Sequence, residues 1–122
     1  METVSSEFNF EKLEVYKKAI NLARGVYLTT KNFPREEIFG LTDQLRRATV
    51  SVPLNLAEGS SRTKKDFSRF IDMAKGSVFE CIAVLQISLQ EKYLSESEYK
   101  KLRTQFEEIS RMLSGLKHSI CS

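Results

Sequence analysis

The chain has 122 residues, 41% of them hydrophobic and 29% charged. This balance describes one globular domain with a real core and excludes a disordered chain. Five glycines, two prolines and no Ser/Gly-rich run leave no room for long linkers, and a net charge of +3 permits an acidic partner without demanding one.

Residues 1–8 are expected to form a mobile tail, and residues 9–122 a single domain. Asn9 fits the N-cap of a first helix reaching about Lys31. Its apolar positions Leu13, Tyr16, Ile20, Ala23 and Tyr27 follow 3-4 spacing. Asn32-Phe33-Pro34 reads as a turn. Pro34 suits the first position of a second helix, with Glu36 and Glu37 at its positive end. That helix carries the stripe Ile38, Leu41, Leu45, Ala48 and Val52, and the register continues to Asn55. Val50, Leu54 and Ala57 form another stripe. Two stripes require cover on both sides, from deep burial in one chain or from another subunit, and the sequence leaves both open.

Gly59 suits a helix C-cap and Thr63 an N-cap. The third helix is expected from about Lys64 to Lys92. Phe67, Ile71, Ala74, Val78, Cys81 and Leu85 form its stripe, widened by Phe70, Val84 and Ile87. Gly76, with Ala74 and Ser77, makes a small-residue patch that a neighbouring backbone could approach. Ser95-x-x-Glu98 matches a capping box for a fourth helix. There Tyr99, Leu102, Phe106, Ile109, Leu113, Leu116 and Ile120 hold an unbroken register. Four such helices with short loops predict an all-α protein, an antiparallel up-down four-helix bundle.

The stretch Ser51-Val52-Pro53-Leu54-Asn55-Leu56-Ala57-Glu58-Gly59 breaks local rules. Proline inside a helix costs about 3 kcal/mol, and an unpaired amide on an apolar seam is expensive. A hydrogen-bonded brace around Pro53, with Ser51, Asn55 and Glu58 as candidates, explains the pattern better than catalysis.

Positive charge is densest from Gln44 to Lys75, with seven basic side chains against three acidic ones. Arg46, Arg47, Arg62, Lys64, Lys65 and Arg69 are the candidates for holding nucleic-acid phosphates, and three of them precede or open a helix. Exposed aromatics that would stack bases are not interleaved with them. A solvated helix start with local pairs such as Glu58–Arg62 accounts for the same residues. The only histidine, His118, shares a helix face with Arg111. Their spacing resembles the Arg-x6-His motif of HEPN ribonucleases, although Met112 stands where that family has a polar residue. Cys81 and Cys121 lack metal spacing and suit a reducing compartment. No apolar run nears the roughly 18 residues that span a bilayer, and nothing resembles a signal peptide. A cytoplasmic, non-enzymatic protein without metal, cofactor or membrane partner is expected.

Phe10-x-x-Leu13-x-Val15-Tyr16-x-x-Ala19, Phe33-Pro34-x-Glu36-Glu37, Gly40-Leu41-Thr42-x-Gln44-Leu45-Arg46-Arg47-Ala48, Ser51-x-Pro53-x-Asn55-x-Ala57-Glu58-Gly59 and Ala74-Lys75-Gly76-Ser77-x-x-Glu80 occur in this order. Together they resemble the bacterial four-helix-bundle family of 23S rRNA-intervening sequence proteins. Accessory proteins of diversity-generating retroelements are more distantly similar. The resemblance implies a ring-shaped homopentamer. By analogy with the retroelement relatives, it also implies binding of nucleic acid, or of a protein partner such as a nucleic-acid enzyme.

Overall fold

The computed structural model describes residues 8–121. Its four helices are α1 (Glu14–Thr30), α2 (Leu41–Ser60), α3 (Lys64–Gln90) and α4 (Glu96–Cys121). Each packs on its chain neighbours and α1 also packs on α4, while the backbones of the diagonal pairs stay apart. Short connections reverse the chain between neighbours, giving the expected all-α up-down bundle. No strand occurs among the described residues. The expected tail falls on residues 1–7, outside the described ones, and on Phe8, which is exposed.

The core is built from Val15, Ala19, Leu22 and Val26 of α1, Leu45, Ala48, Val52 and Leu56 of α2, Ile71, Val78, Cys81 and Leu85 of α3, and Leu102, Phe106, Ile109 and Leu113 of α4. On α3 and α4 these are the residues the periodicity selects. Thr63 caps α3 by accepting from the Asp66 N–H at 3.2 Å. The Ser95–Glu98 capping box also forms, with bonds of 2.9 and 3.1 Å.

Helix α1 differs from expectation. Asn9 opens a separate 3-10 turn, Asn9–Lys12, and α1 starts after Leu13 without a side-chain cap. Its core stripe is Val15, Ala19, Leu22 and Val26, whereas Ile20 and Tyr27 of the expected stripe are 45% and 42% exposed. The seam of α2 likewise continues to Leu56 and Gly59, with Asn55 half-buried beside it and Ile38 exposed. Gly59 lies within α2 and is not its cap; the helix closes at Ser61 in ordinary right-handed geometry. Helix α3 ends at Gln90, and Lys92 turns the chain with a φ of 64°.

Pro34 does not open α2. It precedes a 3-10 turn, Arg35–Glu37, and α2 begins at Leu41. Glu37 does the capping from four residues away: its carboxylate accepts the Leu41 N–H and the Tyr93 hydroxyl, each at 3.0 Å. This bond raises the Tyr93 hydroxyl above its ordinary pKa. A Cβ on Gly40 would lie 2.5 Å from the Glu37 carboxylate, so glycine makes room for the cap. Glu37→Ala is expected to cost about 1 kcal/mol, the worth of a helix cap. In a double-mutant cycle with Tyr93→Phe, read by urea melts, the two losses should be less than additive.

Candidate nucleic-acid interface

Helix α2 passes through Pro53 without interruption. The brace is local. The Ser51 hydroxyl donates to the Ala48 carbonyl at 2.8 Å and also meets the Ser77 hydroxyl of α3. Asn55 Nδ2 donates to the Ser51 carbonyl at 2.8 Å. Ser51 and Asn55 therefore satisfy their own polar groups beside the proline while Pro53 is buried. Glu58 takes no part. It pairs with Arg62 at 3.1 Å, as the i,i+4 spacing suggests.

The α2–α3 loop gathers four of the six basic candidates. Arg62 is held by Glu58 and lies 5.3 Å from the centre of the Phe70 ring. Arg69 pairs with Asp66 at 3.4 Å. Lys64 and Lys65 are exposed. The Thr63 hydroxyl already engages the Asp66 N–H, so part of the positive end of α3 is satisfied within the chain.

Arg46 and Arg47 lie elsewhere, roughly 20 Å back along α2 from Arg62 by helical rise. Arg46 ties α2 to the end of α1: its Nε donates to Thr30 Oγ1 at 2.8 Å and its guanidinium sits 4.6 Å from the Tyr27 ring centre. Arg47 is exposed, in a shallow depression shared with Phe39, Asp43 and Glu80. The six candidates thus form a loop cluster and a separate pair, and all but Arg46 are exposed.

The misread stripe of α1 has a meaning of its own. Tyr16, Ile20, Ala23 and Tyr27 share one side of α1, and the Arg46–Tyr27 contact turns that side toward α2. Val50, Leu54 and Ala57 occupy the outer side of α2, with Leu54 61% exposed and the other two half-buried. An apolar band on the outside of the α1–α2 pair results. The expected small-residue patch is split: Ala74 is buried in the core and Ser77 meets Ser51 of α2, while Gly76 is exposed and a Cβ there would meet nothing within 4 Å.

Arg111 and His118 are both exposed on α4, and neither contacts the other. Sequence reasoning missed a neighbouring arrangement on that helix. Arg103 donates to the Tyr99 hydroxyl at 2.7 Å and to Glu107 at 3.3 Å. The Arg103 bond holds the Tyr99 hydroxyl below its ordinary pKa.

Among the described residues, no three His, Cys, Asp or Glu side chains converge on a possible metal position, and no helix is long and apolar enough to cross a membrane. Burial pushes the Cys81 thiol up to about 12. A thiol so raised stays protonated at neutral pH and is a poor nucleophile. At pH 8 in native buffer, iodoacetamide is expected to modify Cys121 within minutes and Cys81 only after denaturation; mass spectrometry counts the adducts.

A family model described as 23S rRNA-intervening sequence protein matches residues 11–115. Among solved structures, the chain is similar to a protein of unknown function from the S23 ribosomal protein family of Bacteroides thetaiotaomicron. The identity is 21%, the TM-score 0.77, and the match covers 85% of this chain and 95% of that one. No curated protein matches.

Proposed function

We propose that this chain, which belongs to the 23S rRNA-intervening sequence protein family, is a self-associating, non-catalytic bundle that holds structured RNA or DNA by its phosphates. The observation that carries the reading is the uncovered apolar band of Ile20, Tyr27 and Leu54 beside an open basic loop. A monomer gains nothing by leaving these half-exposed side chains in water, where Ile20 and Leu54 each forgo roughly half of the about 1.5–3 kcal/mol that full burial is worth. A second copy covers them, and each added copy repeats Lys64 and Lys65. Repetition converts a weak phosphate contact into a multivalent one. A ring of five copies is the form that family likeness implies. A cytoplasmic location suits the two free thiols.

The test is nucleic-acid affinity across a salt series, with mass in solution measured on the same sample. Reversing the charge of Arg62, Lys64 and Lys65 should flatten the salt dependence by about one unit of slope per lost phosphate contact. An unchanged affinity and slope would sink the proposal. Full cleavage activity in His118→Ala would dispose of a ribonuclease built on Arg111 and His118.

A protein-recruiting scaffold is the second reading. It is favoured by Ile38 and Phe39, which stand 52% and 93% exposed on the α1–α2 connection. Salt-insensitive partner binding without RNA affinity would select it.

A further inference from the structure

We infer that the groove between α3 and α4 binds an unpaired stretch of nucleic acid, with Phe79 as the platform for one base and Arg111 beside it for the adjoining phosphate. The inference rests on nucleic-acid binding as proposed above, but uses none of the six basic residues chosen from the sequence. The groove has a volume of ≈ 400 Å³ and is lined by Phe79, Ile82, Arg103, Glu107, Ser110 and Arg111. That volume lies in the range of small-ligand sites, about 300–1,000 Å³.

Phe79 is 60% exposed, although Val78 and Cys81 beside it are fully buried. Those neighbours fix the rotation of α3, so the Phe79 ring cannot turn into the core. Among the described residues it has no aromatic neighbour within the chain. One face of a large flat side chain is therefore left for something else.

The charges beside it indicate what that is. Arg103 is held by Tyr99 and Glu107, which fixes one guanidinium along the groove wall. Arg111 is exposed and has no acidic partner among the described residues. Lys75 stands one helical turn before Phe79 on the same side of α3. An apolar peptide would use the ring and leave Arg111 and Lys75 idle, whereas a nucleotide uses both ring and cation. Its base stacks on the ring, a contact tolerant of sequence, and its phosphate meets the guanidinium. A duplex cannot do this, because its bases are already stacked on one another. The occupant is accordingly a single strand, loop or frayed end.

The experiment is fluorescence anisotropy of a labelled oligouridylate, alone and annealed to its complement, with the full chain and its variants. The wild type should bind the single strand more tightly than the duplex. Phe79→Ala should weaken single-strand binding by roughly 5- to 150-fold, the value of one stacked base, and leave the salt slope unaltered. Phe79→Trp should retain binding, with its fluorescence quenched by the base. Arg111→Ala should lower the salt slope by about 0.7. Wild-type affinity in Phe79→Ala would overturn the assignment. So would a fall in the mass of the assembly in that variant, which would make Phe79 a contact between copies. Failure of the wild type to bind any nucleic acid would remove the broader reading as well. Binding that is lost on reversing Lys64 and Lys65, yet indifferent to Phe79, would remove this site alone.

Discussion

Phe106→Ala should cost about 3–5 kcal/mol, the range for removing a buried phenyl ring. Phe106 is 1% exposed and comes from the middle of α4. It lies with Ala19, Leu22, Thr49, Val52 and Ile109 around a small gap where α1, α2 and α4 meet. The gap is too small to hold a water molecule. Deleting the ring enlarges it into an apolar cavity that stays dry. Against a typical domain stability of about 5–15 kcal/mol, the loss is large. A urea melt should show a lower midpoint with an unchanged slope. A small aromatic such as benzene should restore part of the stability by filling the space. Refilling would distinguish a cavity from general loosening of the bundle.

The two halves of the chain differ in how much of this was legible. Helix α4 has one apolar stripe and a polar remainder, so its periodicity names Leu102, Phe106, Ile109 and Leu113 without ambiguity. Helix α1 carries two stripes. The one rich in tyrosine and isoleucine is more conspicuous in sequence, but the one with alanine and valine is core, because small side chains let α1 approach its neighbours. Tyr27 fits an outer position, since it has a polar end for water, while Tyr16 packs on the edge of the core. Periodicity reports that a face is apolar; it does not report which apolar face the other helices cover.

The candidate sites follow the same rule. The Glu58 pair of Arg62 and the cap made by Thr63 lie within four residues and could be read directly. In the sequence Arg46 stands only as a phosphate-binding candidate, because its partners, Tyr27 and Thr30, lie on another helix. Glu37 finds Tyr93 56 positions away, and the Phe79 groove exists only once α3 meets α4. No local pattern encodes such pairs.

Gly59→Ala and Gly76→Ala should have opposite signs, although the resemblance involves both glycines and both lie inside helices. A Cβ on Gly59 would stand 2.5 Å from the Phe70 Cβ and 3.0 Å from the Phe67 ring. The nearer atom is fixed to the α3 backbone and cannot swing away. The α2 and α3 helices must separate at their loop end, an overpacking cost of about 1–3 kcal/mol. Better helix propensity returns at most about 1 kcal/mol, so the net effect is a loss. Gly76 is exposed, has no positive φ, and a Cβ there would meet nothing within 4 Å. Alanine should stabilise the monomer by about 0.4–1 kcal/mol. Thermal melts of the two variants, with mass in solution measured on each, check both signs. A Gly76→Ala protein that melts higher yet assembles less well would show that the bare backbone at Gly76 serves a neighbouring copy. The same variant with unchanged mass would leave Gly76 outside the contact between copies, and Leu54→Glu should disrupt the self-association proposed for the α1–α2 band.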